Sequence, residues 1–497
     1  MNQALHSRYN PRLEAEKYIN ALNLRDAEYF ILIEPGLGYM IPLLREKYPA
    51  ARIIALHVED QSRTAEAGEI LPDTGGAAGW SPESGIDLED FLADTVGDRS
   101  ASAIRIVEWR PALVHYGEPY LKLLSAVADF IKRSDANFRT VKGFGRRWFR
   151  NFLKNLKLLG NFPLYERFNG PIVITGAGPG LEESIPLIAE MKSRMSVFIL
   201  AASSSAMALL SQGIIPDLVL GTDGGPWALL HLYECLRGSA GKAAETGAAR
   251  HPAIAAALSA AIPSQCAEAP LLGLSDNSFW QRLILQGLNI PHIPLPQRGT
   301  VSASAIDLAL ALGSGNIFIA GMDLAVRDIR THVRPYSFDR LLREKASRLN
   351  PVYSQAYVRS AGISGGKSHE IYAAWFSSRI KTYPGRIYTL GNNNQVFQGL
   401  PGRTGTGAAA AGITSGPGLG TGPCARISPV NLPENPAGLG AAILKEALSD
   451  PRTKKPVMEE LSALLFPGGT PGAAELADEI SVLAAPYCRA INGVING

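Results

Sequence analysis

A glycine-rich turn, GAGPG at residues 176–180, is the stretch of this 497-residue chain whose residue types most directly suggest chemistry. Glycine has no Cβ, so such a turn can approach a ligand closely, and the first N–H groups of a following helix attract an anion. We therefore predict a phosphate or nucleotide site formed by Gly176, Gly178, Pro179 and Gly180. A tight strand-to-helix turn without any ligand has the same composition, so the motif alone leaves both interpretations open.

Two further segments, residues 214–225 and 316–325, are apolar strands that end in glycine plus polar residues. Ligands of open α/β sheets bind beyond the carboxyl ends of the strands, so one shared cleft would account for all three strand ends. An aspartate in such a position can also act only as a helix cap. The residues that we place in this cleft are Thr222, Asp223, Gly321 and Asp323.

His332 is the side chain best suited to proton transfer, because the unperturbed pKa of histidine lies near neutrality. It lies in the basic segment AVRDIRTHVRPY, residues 325–336, among Arg327, Arg330 and Arg334. Guanidinium groups pair well with phosphate and carboxylate, so these arginines are candidates for binding an anionic substrate. A surface histidine in a solvated, arginine-rich loop is the alternative interpretation.

Alternating strands and helices must position these residues. From residue 170 onward, apolar runs and helical segments alternate, which predicts a parallel, doubly wound, Rossmann-like sheet. Residues 28–60 show the order strand, GxG turn, helix, strand and terminal acid, which predicts a smaller Rossmann-like domain. The third glycine of a dinucleotide fingerprint is absent there. Glu59 could accept ribose hydroxyls, so a cofactor and a vestigial or docking domain both stay open.

We predict an α/β chain in four parts. They are an N-terminal Rossmann-like domain with a basic linker helix (1–168), a central domain (169–400), a Gly/Ala-rich linker (401–432) and a helical C-terminal region (433–497). Separate helices are predicted at residues 120–134 and 137–157. The second of these is basic and aromatic, and it either contacts an acidic partner or serves as an amphipathic linker. Residues 353–360 and 362–367 are predicted as loop or hairpin.

Composition limits the classes of function. A net charge of +3 over this length gives no support for a nucleic-acid partner. Four scattered cysteines without a CxxC pair predict neither a disulfide framework nor a zinc site, and they favour a reducing compartment. The N-terminus has no apolar signal core, and no apolar run is long enough to span a membrane. We therefore expect a cytoplasmic protein.

The ordered motifs GAGPGLEESIPLI, PDLVLGTDGG, RGTVSASAIDLALALG, NIFIAGMDLAV and RTHV resemble those of the motility associated factor (Maf) glycosyltransferases. The resemblance covers residues 170–399, and the central domain of that family is similar to archaeal hydroxymethyl-dihydropterin pyrophosphokinase (MptE-like) and to bacterial sialyltransferases. It implies transfer of a nonulosonic acid, of the pseudaminic or legionaminic type, from a CMP-activated donor to Ser or Thr hydroxyls of flagellin. Each motif alone is generic, so the ordered set carries the resemblance.

The resemblance also implies roles for individual residues. The glycines of the turn would hold the nucleotide phosphate, Asp223 would meet the ribose or a bound cation, and Asp323 would close the other side of the cleft. His332 would take part in proton transfer, and the three arginines would bind the leaving phosphate or the carboxylate of the sugar. No resident metal is predicted, although Mg²⁺ stays open as a cation bound with the nucleotide. Asn392 would lie where a loop of the family returns towards the cleft, although Asn-rich turns also arise for conformational reasons.

This chain departs from the family at one position of the glycine motif, which usually reads GxGPSL. Gly180 stands here in place of the serine, so a hydroxyl that could contact phosphate is missing.

Two other functions compete with the transferase. One is a pterin pyrophosphokinase that uses ATP and magnesium, against which the large flanking regions argue. The other is a non-catalytic module that holds flagellin, for which substitution of His332 or Asp223 would leave glycosylation unaffected.

Overall fold

The computed structural model divides the chain into two compact units, Met1–Gly145 and Arg146–Gly497. The structure describes all residues except 1–4, 8, 23–26, 60–76, 98, 165–166, 247–251, 296–299, 365–375, 377–382, 384, 392–401, 404–425, 467–468, 470 and 489–497. The domain limits predicted from the sequence stay predictions.

The first unit is built on a four-stranded parallel sheet with strand order β3-β2-β1-β4. Its strands are β1 (Tyr29–Ile33), β2 (Arg52–Leu56), β3 (Ala78–Trp80) and β4 (Ile104–Glu108). Its helices are α1 (Pro11–Ala21), α2 (Met40–Lys47), α3 (Leu88–Thr95) and α4 (Arg110–Tyr116). Every residue of β1 is buried, as expected for a central parallel strand whose two faces are both covered. The predicted small Rossmann-like sheet is confirmed.

One long helix, α5 (Glu118–Asn155), replaces the two helices predicted at 120–134 and 137–157. The polar residues at the predicted break do not cap a new helix, because they bind a neighbouring loop instead. Ser134 Oγ accepts the N–H of Arg99 at 2.7 Å, and Asp135 Oδ1 accepts the N–H of Ala101 at 2.9 Å. The prediction of a break was therefore wrong.

The second unit contains a nine-stranded sheet with strand order β11-β10-β9-β8-β7-β6-β12-β13-β14, and every pair in it is parallel. Its strands are β6 (Ile172–Thr175), β7 (Phe198–Ala202), β8 (Leu218–Gly221), β9 (Ala253–Ala257), β10 (Leu271–Ser275), β11 (Ile293–Pro294), β12 (Ile317–Ala320), β13 (Ile387–Leu390) and β14 (Gly402–Arg403). Helices connect many of them: α6 (Leu181–Arg194), α7 (Ala206–Ser211), α8 (Ala228–Thr246), α9 (Phe279–Gly287) and α10 (Val301–Leu312). The predicted doubly wound α/β fold is confirmed.

The strand order reverses between β6 and β12. From β6 the chain builds the sheet outwards to β11, and it then returns to place β12 on the other side of β6. Such a reversal is the switch point at which open α/β sheets bind their ligands. Side chains of β6 alternate between the two faces, with Val173 in one buried apolar cluster and Ile172 and Ile174 in another.

The C-terminal part of the chain is helical, as predicted. Its helices share an apolar cluster with the central sheet through Leu444, Val457, Leu461 and Ile480. They are α13 (Pro436–Ser449), α14 (Pro451–Leu465) and α15 (Ala473–Cys488). A two-stranded antiparallel pair, β5 (Asn161–Leu164) with β15 (Arg426–Pro429), precedes them.

Two helices follow β12, namely α11 (Asp339–Glu344) and α12 (Val352–Ser364). The second covers residues 353–360 and 362–364, where the sequence predicted loop or hairpin, so that prediction was wrong there. The rest of the predicted segment, residues 365–367, lies outside the described residues. Across the described residues, no helix combines the length and the apolar content needed to cross a lipid bilayer.

Candidate functional site

The loops that follow β6 and β12 meet at the switch point through their glycines. Gly178 N–H donates to the carbonyl of Gly321 at 2.7 Å, and Gly176 N–H donates to the carbonyl of Ala320 at 2.8 Å. A Cβ on Gly176 would lie 2.5 Å from the carbonyl oxygen of Gly321, which itself has a φ of +64°. These positions require glycine because the two backbones approach too closely for a side chain.

Asp323 caps the start of α6. Its Oδ2 accepts the N–H of Gly180 at 2.5 Å, whereas its buried Oδ1 has no hydrogen-bond partner among the described residues. Burial raises the pKa of this carboxyl group, and the N–H of Gly180 opposes that rise. The side chain is 6% exposed. Asp323 therefore presents one buried, unsatisfied acceptor at the switch point.

The backbone N–H groups of the glycine turn, which we predicted to bind phosphate, already form hydrogen bonds. The N–H groups of Gly176, Gly178 and Gly180 all donate to acceptors of the protein itself. An anion could use them only by displacing those acceptors. Sequence reasoning could not foresee this, because the acceptors lie more than 140 residues further along the chain.

Two of the three predicted substrate-binding arginines are engaged by the first turn of α6. Arg327 forms an ion pair with Glu183, and Arg330 Nη1 lies 3.0 Å from Glu182 Oε2. The backbone N–H of Arg334 also donates to Glu182, at 3.2 Å, while the Arg334 side chain is exposed. The basic loop therefore folds over the acidic helix start, and the charges of Arg327 and Arg330 are compensated within the protein.

His332 lies beside the glycine turn because the next residue, Val333, forms a backbone hydrogen bond with that turn. Val333 N–H donates to the carbonyl of Ala177 at 2.8 Å. The imidazole stacks on Tyr336 with a centroid distance of 4.2 Å, and its Nδ1 lies 2.7 Å from Thr331 Oγ1. Burial, with a smaller contribution from the positive charge of Arg359, lowers the pKa of His332 to about 4. His332 is therefore a neutral imidazole at neutral pH.

A second neutral histidine, His231 on α8, contacts the same tyrosine ring, that of Tyr336, as His332 does. Its ring is 5.3 Å from Tyr336 and 4.8 Å from Phe338, measured between centroids. Burial lowers the pKa of His231 to about 4, and the negative charge of Asp223 opposes this shift. Its buried Nδ1 has no hydrogen-bond partner among the described residues. No sequence pattern singles out this histidine, which lies about 100 residues before His332.

Asp223 is exposed at the end of β8. Its Oδ1 accepts the N–H of Gly225 at 2.8 Å, so the side chain stabilises the turn that leads towards α8. The negative charge of Asp223 raises the pKa of His231. The loop after β8 therefore lies near the aromatic residues that surround His231 and His332. Thr222 is half-buried beside it. The three strand ends thus contribute to one region of the second unit.

Arg359 on α12 was not predicted from the sequence. Its positive charge lowers the pKa of both His332 and Tyr336, although burial raises the pKa of Tyr336 overall. The guanidinium is half-buried and forms no hydrogen bond or ion pair in the part of the chain that the structure describes. Arg359 is therefore a cation near His332 that has no ion-pair partner among the described residues.

The sequence also predicted a site role for Asn392 and left a bound Mg²⁺ open. Asn392 lies outside the described residues. The strand before it ends near the start of α6, since Ser184 Oγ donates to the carbonyl of Leu390 at 2.9 Å. Among the described residues, no three His, Cys, Asp or Glu side chains converge as metal ligands.

In the first unit, the side chain of His6 packs against the turn after β1. The N–H of Leu37 donates to His6 Nε2 at 2.9 Å, and a Cβ on Gly36 would clash with the same imidazole. Glu34 Oε2 accepts the N–H of Val58 at 2.7 Å. The N–H of Leu37, which could have met a cofactor phosphate, thus has an acceptor within the protein.

Comparisons with known proteins bear on the second unit. Residues 146–328 match the family model described as 6-hydroxymethylpterin diphosphokinase MptE-like, and this match begins where the second unit begins. The predicted similarity to MptE-like proteins is thereby confirmed for these residues.

Two individual proteins are similar over longer stretches. An uncharacterized protein of Treponema pallidum (strain Nichols) is 29% identical over 294 residues, covering 59% of this chain. The chain spans 61% of the length of that curated relative. The structure of a Maf glycosyltransferase from Magnetospirillum magneticum AMB-1 is 12% identical, with a TM-score of 0.43, and the match covers 98% of this chain and 79% of that one.

Proposed function

We propose that this protein is a glycosyltransferase that moves a nonulosonic acid, of the pseudaminic or legionaminic type, from a CMP-activated donor to Ser or Thr hydroxyls of flagellin. The observation that carries the proposal is the neutral His332 held beside the glycine turn by the 2.8 Å hydrogen bond from Val333 to Ala177. A switch point is where an open α/β sheet binds a nucleotide, so a proton acceptor there can serve transfer from a nucleotide donor. The ordered motifs support the same activity.

The reaction needs a group that accepts one proton. The acceptor hydroxyl oxygen attacks the anomeric carbon, the bond from that carbon to the phosphate oxygen breaks, and CMP leaves with the bonding electrons. His332 takes the hydroxyl proton on Nε2 in the tautomer whose Nδ1–H donates to Thr331 Oγ1. With a pKa of about 4, the ring carries the necessary lone pair at neutral pH.

The donor is anionic, and Arg359 is the cation that we assign to its phosphate or its carboxylate. Arg327 and Arg330 are already paired with glutamates, whereas Arg359 has no such partner among the described residues. A half-buried guanidinium without a counter-charge gains most from binding an anion. We assign to the unsatisfied Oδ1 of Asp323 a hydroxyl or amino group of the donor, because a buried acceptor gains from a hydrogen bond.

The experiment combines purified protein, CMP-activated nonulosonic acid and unmodified flagellin. We expect the intact mass of flagellin to rise by one sugar residue as CMP is released. His332→Gln should lower both rates by about 10²-fold or more, which is the usual contribution of a general base. His115→Gln, at an exposed histidine of the first unit, is the matched control and should keep full activity. Wild-type protein that releases no CMP and adds no mass would contradict the proposal.

A second candidate function is a pterin diphosphokinase, which the family-model match over residues 146–328 favours. Incubation with ATP, Mg²⁺ and 6-hydroxymethylpterin would then release AMP and form a diphosphorylated pterin. AMP release without CMP release would establish this alternative. Flagellin binding without release of either nucleotide would establish a non-catalytic module.

A further inference from the structure

A row of four rings leads from His332 to the surface of the second unit. His332 stacks on Tyr336 at 4.2 Å, Tyr336 meets Phe338 edge-on at 5.2 Å, and Phe338 meets Trp227 edge-on at 6.3 Å. Contacts of this geometry are favourable between aromatic rings. The row therefore connects the proposed proton acceptor to a residue at the rim of the site.

Trp227 differs from the other members of the row because it is 56% exposed. It directly precedes α8, and the ammonium group of Lys345 lies 5.3 Å from the centroid of its ring. Lys345 is itself exposed. Tryptophan is enriched among the residues that contribute most to protein–protein binding.

Resting on the transferase function proposed above, we propose that the row from Trp227 to His332 is the acceptor subsite and binds an extended polypeptide segment of the acceptor protein. The hydroxyl to be modified lies at His332, and an apolar side chain of the same segment packs on Trp227. An extended chain advances about 3.4 Å per residue, so roughly five residues span the row. Lys345 adds a preference for an acidic side chain at the outer end.

The chemistry of the row favours a polypeptide over the donor. The anionic and hydrogen-bonding groups of a CMP-sugar match Arg359 and Asp323, which lie at the inner end of the site. The outer end consists of the rings of Trp227 and Phe338 and the exposed ammonium group of Lys345. These suit an apolar side chain next to a carboxylate, whereas the polar edge of a nucleobase would find no buried partner in Trp227 or Phe338.

The test separates acceptor binding from chemistry. Trp227→Ala should weaken the binding of unmodified flagellin, measured as Kd without any donor, by about tenfold or more. It should also raise the KM for flagellin, and it should leave the KM for the donor unchanged. Lys345→Gln should weaken flagellin binding several-fold in the same assays. Tyr233→Ala is the matched control, because Tyr233 is another exposed aromatic residue, 43% exposed on α8 and six residues beyond Trp227 in the sequence.

The outcomes are distinct. An unchanged Kd for flagellin in Trp227→Ala would overturn the acceptor subsite, and so would a raised donor KM with unchanged flagellin binding, which would assign the ring to the donor. Wild-type protein that binds flagellin in a Trp227-dependent way but releases no CMP would refute the transferase and keep the subsite. The melting curves of Trp227→Ala and Lys345→Gln should match that of the wild-type protein. A match excludes misfolding as the cause of weaker flagellin binding.

Discussion

At the scale of single residues, the site depends on imidazoles that burial keeps neutral. His332 could be predicted from its sequence context because a histidine among arginines after a strand is conspicuous. Its partners could not, since His231 and Arg359 come from other elements and only tertiary packing places them near it. Arg327 and Arg330 show the opposite case. Their residue type suggested anion binding, but Glu183 and Glu182 neutralise them.

Arg359 should control the pH dependence of catalysis. Burial is the larger cause of the low pKa of His332, and the positive charge of Arg359 adds to it. Arg359→Gln should therefore raise the pKa of that imidazole part of the way from about 4 towards its ordinary value near 6.5. The acid limb of the profile of log(kcat/KM) against pH should therefore move to higher pH, in addition to any loss of rate. Arg334→Gln, at an exposed arginine of the same loop as His332, should leave the limb in place. An acid limb at the same pH in Arg359→Gln and wild type would refute the assignment.

At the scale of elements, the turns at the switch point are held together by backbone contacts. The sequence predicted strand, glycine turn and helix at residues 172–194 because glycine and β-branched residues have strong local preferences. It failed at α5, where tertiary contacts decide, and at the described part of α12. Ser134 and Asp135 are capping residues by type, yet their oxygens bind the loop at residues 99–101.

Gly178→Ala should be strongly destabilising. A Cβ there would lie 2.5 Å from Asp323 Oδ2 and 2.8 Å from the carbonyl oxygen of Gly321, and the second atom belongs to backbone that cannot easily move. We expect the free energy of unfolding to fall by about 2 kcal/mol or more, measured by chemical denaturation. Gly160→Ala is the control, since a Cβ there meets nothing within 4 Å, and its effect should stay within about 0.5 kcal/mol. Equal stability of the two variants would show that the loops are not in contact.

At the scale of the whole molecule, the sequence sufficed for the two parallel sheets and the helical C-terminal region, because alternating strand and helix patterns are local signals. It did not supply the hydrogen-bond partners of the glycine turn. Those partners depend on which acceptors fold onto the turn, as Asp323 does from 143 residues away.

Stability should decrease as the pH falls from about 6.5 to about 4. The unfolded chain protonates His231 and His332 near pH 6.5, whereas in the folded state the pKa of each is about 4, so the unfolded state binds more protons in this window. The loss is at most about 3 kcal/mol for each histidine, and less where solvent reaches the ring. Asp323 acts in the opposite direction because its pKa is raised, so a comparison with His332→Gln isolates the histidine. The variant should lose less stability than wild type between pH 7 and pH 5 in denaturant titrations, and equal losses would contradict this prediction.

The most direct measurement is an NMR titration of the His332 ring with and without CMP. The proposed site predicts a pKa of about 4 for the free protein and a clear rise when CMP binds, because the phosphate brings negative charge to the pocket shared with Arg359. A His332 pKa near 6.5 that does not respond to saturating CMP would show that this imidazole is not part of a nucleotide cleft.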